Sequence, residues 1–291
     1  MALTNGAMDE ERLKVIDNIS AALAESDSFR KVELHDPVIT DEDIRRVIYP
    51  FDNTRKKLKN KLLSAVARRI AERETRKRNI YTTVVGLENA LSVAGGCIIT
   101  CNHFSIMDNT VVRVLAEKCE RAKTFNIVVQ GTNIFMDGFF GFLMRNCKTM
   151  PVCDSPVYMA KNFKPAVKEL LSRGECILIY PEQEMWFNYK KPRELREGAY
   201  YYAAEFDVPV IPCFVTMENL DEYDEQGFKV VRHTLNVMPP IYPDKTLPMR
   251  ERRAKMKEED YACKCECYRR VYGIPLDDEF IPERDIAGYH T

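Results

Sequence analysis

The sequence predicts an α/β protein: a central, mostly parallel sheet flanked by helices, with an N-terminal helical annex. Three observations carry this. From Ile80 onward, short β-branched or apolar runs alternate with helical segments, the order that builds strand–helix–strand units. Before Ile80 only helical periodicity is found. The chain has 291 residues, 45% of them apolar, enough for one sizeable core and a small annex. The boundary falls near Asn79, which gives a helical segment over 1–79 and an α/β domain over 80–291.

In the annex, Leu13, Ile16, Ile19 and Leu23 recur at helical spacing. Thr40 followed by Asp41, Glu42 and Asp43 starts a second helix that Pro50 stops. A third helix carries Leu58, Leu62, Val66 and Ile70 on one face. Strands follow at Ile80–Val85, Cys97–Cys101, Phe125–Gln130, Cys176–Tyr180, Val208–Val215 and Phe228–Met238. Pro209 and Pro212 put the Val208–Val215 strand near an edge or a bend, because proline cannot donate to a ladder. Helices are expected at Asp108–Cys119, Pro156–Arg173, Glu197–Phe206 and Met249–Tyr272. Pro156 opens one of them and Gly174 follows its end.

Charged residues make up 30% of the chain, which fits a folded globular protein rather than a disordered or fibrous one. Ten cysteines sit largely inside apolar runs, where they act as small hydrophobes. The first residues are small, polar and acidic, with no apolar signal-peptide core. Free thiols in a reducing, cytoplasmic compartment are therefore expected. Cys263, Cys265 and Cys267 lack a usual zinc-ligand spacing, so no metal is expected. No run approaches the roughly 18 apolar residues that span a bilayer.

The formal net charge is −1, yet Arg55–Arg78 holds eleven basic residues against two acidic ones. That helix has a cationic polar face. It reads either as a solvated helix packed on the core or as one lying on anionic lipid. Nucleic acid is disfavoured as a partner, because no aromatic residues interleave with the basic ones.

Of the four histidines, His103 follows the strand Cys97–Cys101 and precedes a helix, the place where α/β proteins bind ligands. Asp108 lies five residues on. A turn between them would bring the carboxylate to the imidazole and make a general base; alternatively Asp108 simply caps the helix. Ser105 is a candidate nucleophile or a turn residue, and Cys101 a candidate nucleophile or a buried thiol. Glu182, after the strand Cys176–Tyr180, should open on the same sheet edge, with Lys190, Lys191, Arg193 and Arg196 close behind. These cations hold an anionic group or lie on the surface.

Asn102-His103-x-Ser105-x-x-Asp108 resembles the NHxSxxD motif, with its HX4D spacing, of the PlsC-like lysophospholipid and 1-acylglycerol-3-phosphate acyltransferases. Further blocks agree in order: Val85–Asn89 with Gly95–Ile99, Gly138–Arg145 leading to Met150-Pro151-Val152, Tyr180-Pro181-Glu182, and Val208–Pro212. They span about Val84 to Ile241. The resemblance implies acyl transfer from acyl-CoA or acyl-carrier protein to a lysolipid hydroxyl in phospholipid biosynthesis, with no cofactor beyond that donor. His103 would be the base and Asp108 its orienting partner. Glu182 would position the acceptor, with Asn102, Ser105, Arg145, Lys190, Lys191 and Arg193 as further substrate-binding residues. Lys56, Lys57, Lys61, Arg68 and Arg69 would touch an anionic membrane, peripherally at its inner, cytoplasmic face.

Two blocks depart from the family pattern. Pro151-Val152 is followed by Cys153 and Asp154 where an arginine is usual, and Glu182 by Gln183-Glu184-Met185 where Gly-Thr-Arg is usual. Those arginines are associated with the acceptor phosphate, so an acceptor other than a phosphomonoester stays open. A Cys/Ser hydrolase and an inactive membrane scaffold are the remaining alternatives.

Overall fold

The computed structural model describes residues 8–34 and 57–290, with side chains of the third expected helix from Leu62 onward. The helix expected from Thr40 to Pro50, Lys56, and the side chains of Lys57 and Lys61 lie outside the described residues.

Helix α1 (Glu10–Ala24) is capped by Asp9, whose carboxylate accepts the Arg12 N–H at 3.1 Å. The basic helix is α2 (Lys57–Arg78). A seven-stranded sheet follows, in the order β1 (Thr83–Val85), β7 (Lys229–Val237), β6 (Val210–Tyr223), β2 (Cys97–Thr100), β5 (Cys176–Ile179), β3 (Phe125–Gln130) and β4 (Thr149–Val152). Every pairing is parallel except β6 with β7. The helices after α2 are α3 (Leu87–Leu91), α4 (Asn109–Lys118), α5 (Gly138–Asn146), α6 (Pro156–Tyr158), α7 (Lys164–Ser172), α8 (Gly198–Phe206), α9 (Met249–Tyr272) and α10 (Pro282–Asp285). The helix expected over Pro156–Arg173 is α6 and α7 joined by a π-turn at Met159–Phe163.

All four residues of β2 are buried, because helices cover both faces of the sheet. Cys97, Ile99 and Cys101 face α4 through Val111, Val112 and Leu115. Ile98 faces α7 and α8 through Val167, Leu170 and Tyr200. Gly96 lets the entry to β2 pass close to α7: a Cβ there would sit 2.2 Å from the Leu171 carbonyl oxygen.

The strand with the two prolines is β6, and it is central rather than an edge. Pro209 precedes it. Pro212 pairs with Thr100 of β2, and the β7 ladder begins only at Cys213. The Pro212 carbonyl still accepts the Met238 N–H at 2.9 Å. The missing proline donor therefore falls on the side where β7 has already ended, and costs no ladder bond.

Helix α1 does not stand apart from the α/β layers. Val15, Ile16 and Ile19 pack with Trp186, Tyr189, Phe228 and Ile286. Helix α2 rests on α4 and α5, with Ala67 buried but Leu62 66% and Val66 41% exposed. Behind β2, the fully buried Asp260 and Lys264 of α9 form an ion pair. Asp260 Oδ2 accepts from Thr100 at 2.6 Å and from Tyr200 at 2.5 Å, so α9 is tied to the carboxyl end of β2.

Candidate active site

β2 ends at Thr100, while β6 beside it runs on. Asn102 fills the gap: its carboxamide accepts the Val215 N–H at 2.8 Å and donates to the Val215 carbonyl at 3.2 Å. One side chain thus stands in for a strand residue, and the backbone is free to turn away at His103. Asn102 is 2% exposed; it is a structural tie rather than the substrate ligand expected from the motif.

The turn brings His103 and Asp108 together, as the five-residue spacing allows, and the Asp108 side chain makes no helix-capping bond. His103 Nδ1 lies 2.6 Å from Asp108 Oδ2. The same oxygen accepts the backbone N–H groups of Phe104 (2.9 Å) and Ser105 (3.2 Å), and Oδ1 accepts the Tyr180 hydroxyl at 2.6 Å. A carboxylate so surrounded by donors is an acceptor, so the imidazole carries its proton on Nδ1 and leaves the Nε2 lone pair free. The His103 side chain is 22% exposed and Asp108 only 2%, so the imidazole is reachable and its partner is not. The Tyr180 ring stacks on the imidazole, centroids 4.2 Å apart and planes 16° from parallel. Burial and the adjacent carboxylate push the Tyr180 phenol well up, so it remains a donor.

The segment after β5 holds the other side of the turn. Trp186 and Asn188 N–H groups donate to the carbonyls of His103 (3.1 Å) and Phe104 (3.0 Å). Glu182 Oε2 accepts the His103 N–H at 3.2 Å, and Oε1 accepts the Arg193 N–H at 3.1 Å. The Arg193 guanidinium lies 3.2 Å from Glu182 Oε2, both side chains at most 3% exposed. It also donates to the Ser28 carbonyl at 2.8 Å and covers the Trp186 ring.

Residues 81–216 match the family model described as Acyltransferase. That stretch is similar to an acyltransferase domain. A solved structure, the crystal structure of the 1-acyl-sn-glycerophosphate (LPA) acyltransferase PlsC from Thermotoga maritima, is 14% identical, with a TM-score of 0.47, and the alignment covers 88% of this chain and 94% of that one. No curated protein matches the chain.

Within the matched stretch the expected cation cluster does not gather at the dyad. Arg193 is spent on Glu182. Lys191 is 4% exposed and bonds Asp277 Oδ1 at 2.8 Å and the Glu279 carbonyl at 2.5 Å. Both are internal ties, because a buried cation needs partners of its own. Lys190 sits 5.6 Å from the Tyr272 ring centroid, and burial lowers its pKa. Arg145 is exposed, but donates to the carbonyls of Ile134 (2.9 Å) and Met136 (2.7 Å). Glu182 is 2% exposed, with both oxygens engaged by the protein. Its contacts hold the His103 backbone.

The Cys101 thiol is buried, and burial raises its pKa well above the ordinary value, which removes the thiolate a nucleophile needs. The Ser105 hydroxyl accepts the Met107 N–H at 3.4 Å, a turn contact. Sequence reasoning missed Tyr180 and His233. Tyr180 ends the strand that leads to Glu182, and that position was the available signal. His233 gave none, since its partner Phe104 is distant in sequence.

Proposed function

We propose that this acyltransferase moves a fatty acyl group from a thioester donor, acyl-CoA or acyl-carrier protein, to the free hydroxyl of a lyso-glycerolipid, with His103 as general base. The observation that carries it is the His103–Asp108 contact at 2.6 Å with the imidazole still partly exposed. Nε2 takes the acceptor's hydroxyl proton as the oxygen attacks the thioester carbonyl. The tetrahedral intermediate then collapses, the C–S bond breaks, and the departing thiolate takes the proton back from the imidazolium. Asp108 stabilises the charge that His103 gains. No acyl-enzyme forms. Burial of Cys101 and the turn contact of Ser105 speak against a hydrolase built on either, and the complete dyad speaks against an inactive scaffold.

The test is purified protein with acyl-CoA or acyl-carrier protein and a panel of lysolipids. His103→Ala should lower kcat by at least ~10³-fold. Transfer by that variant at the wild-type rate would sink the mechanism.

The same reading has the chain bound peripherally to the cytoplasmic face of an anionic membrane. Among the described residues no helix is long and apolar enough to cross one. Exposed Leu62 and Val66 on α2, with exposed Phe135 and Phe139 beside and on α5, support contact with lipid, and Arg68 and Arg69 are exposed next to them. Vesicle co-sedimentation should be stronger on anionic than on neutral lipid and should weaken with salt.

A further inference from the structure

A cavity of about 190 Å³ opens beside Asp108, between the end of α2, the turn after His103 and β7. Arg78, Asn79, Ser105, Thr110 and His233 line it, and Asp108 and Phe104 form part of its wall. Not all of these groups are free to bind a ligand. Asn79 Nδ2 is spent on Thr110 Oγ1 (3.0 Å) and the Thr75 carbonyl (2.9 Å), and Thr110 donates to the Met107 carbonyl at 2.7 Å. Both oxygens of Asp108 are occupied by His103, Tyr180 and backbone N–H groups.

Three donors remain. The Ser105 hydroxyl accepts one bond, from Met107, and among the described residues its own proton has no acceptor. His233 packs its ring 5.2 Å from that of Phe104, and among the described residues its imidazole has no hydrogen-bond partner. Burial lowers its pKa to about 4, so near neutral pH it offers one N–H and one acceptor nitrogen. Arg78 is the cation of the cavity. Among the described residues its one bond is an exposed contact to Glu74 at 3.3 Å, and such surface pairs are weak enough to exchange for a ligand. The C-terminal carbonyls of a helix repel anions, but Thr75 O is already covered by Asn79, and Arg76, Lys77 and Arg78 make this helix end cationic.

We propose that this cavity is the acceptor's head-group subsite, where Arg78, His233 and the Ser105 hydroxyl hold a phosphate ester while the neighbouring free hydroxyl of the same lysolipid reaches His103. The inference rests on the acyl-transfer reading above and deepens it. It assigns the role of the two absent motif arginines to a residue of α2, outside the matched stretch 81–216. The cationic helix then has a second use, since the surface that meets anionic lipid ends at the subsite that takes its head group.

The experiment uses the full chain with three acceptors sharing one acyl chain: lysophosphatidate, lysophosphatidylcholine and monoacylglycerol. Wild type should prefer one or both phosphate-bearing acceptors over monoacylglycerol by at least about tenfold in kcat/KM, and their ratio tells monoester from diester. Arg78→Gln should reduce that preference by about tenfold, through acceptor KM, with the thioester KM within about twofold of wild type. Arg78→Lys should recover part of it, and His233→Phe should weaken it while His233→Gln preserves a donor. Equal use of monoacylglycerol by wild type, or an Arg78→Gln enzyme with undiminished preference, overturns the proposal. Should wild type acylate no acceptor, the acyl-transfer reading fails first, and calorimetry then tests the subsite without a donor. Glycerol 3-phosphate alone should bind about tenfold more weakly to Arg78→Gln, and equal binding or none by wild type overturns the subsite as well.

Discussion

Tyr180 holds both members of the dyad at once: its hydroxyl donates to Asp108 Oδ1 at 2.6 Å while its ring lies against the imidazole of His103. Tyr180→Phe keeps the stacking surface and removes the bond. The expected result is a kcat lowered by about tenfold with little change in either KM, because Asp108 loses one donor but not its contact to His103. Steady-state kinetics in both substrates check this, and a kcat within twofold of wild type would make the hydroxyl incidental.

Glu182 and Arg193 form a buried pair, so removing one partner strands the other. Glu182→Ala should destabilise the fold by about 3–5 kcal/mol and lower kcat by loosening the His103 backbone. Urea denaturation and kinetics separate this from direct acceptor contact. A variant as stable as wild type with only a raised acceptor KM would restore the role expected from the sequence.

Gln183 adopts φ 62°, the left-handed region, at the position where the resembled block carries glycine. The backbone has kept a conformation that a side chain disfavours by about 1–2 kcal/mol. Gln183→Gly should therefore stabilise the protein by about 0.5–1 kcal/mol once the greater freedom of glycine in the unfolded chain is allowed for. Thermal melting at fixed pH is the check, and a clear loss of stability would mean the Gln183 side chain contributes contacts of its own.

His233 has its pKa lowered from 6.5 to about 4 by burial. Between those values the unfolded chain binds more protons than the folded one, so this contribution is complete above pH ~6.5 and is lost as pH falls toward 4. The loss should be about 1–3 kcal/mol. His233→Gln should show a shallower fall in stability from pH 6.5 to 4 than wild type; parallel curves would contradict it.

The layers were legible in the sequence because their cause is local. Periodicity alone gives Met249–Tyr272 and Phe125–Gln130 with their observed bounds, and the strand-to-helix change at His103 marks the site. What the sequence concealed depends on distant partners. Lys191 and Arg193 read as surface cations until Asp277 and Glu182 are brought beside them. Pro212 reads as an edge signal until β7 is seen to stop short of it. Glu182 reads as a loop acid facing substrate until its two oxygens are accounted for by protein donors.

The dyad is local, five residues apart, and the backbone of Phe104 and Ser105 holds Asp108 locally, but the further ties of the turn are remote. Tyr180 is 72 residues from Asp108, Val215 is 113 from Asn102, and Asp260 is 160 from Thr100. Such contacts form only after long loops close, which slows folding. The turn at His103 should then be among the last parts to acquire its final shape during refolding, with secondary structure returning before activity does.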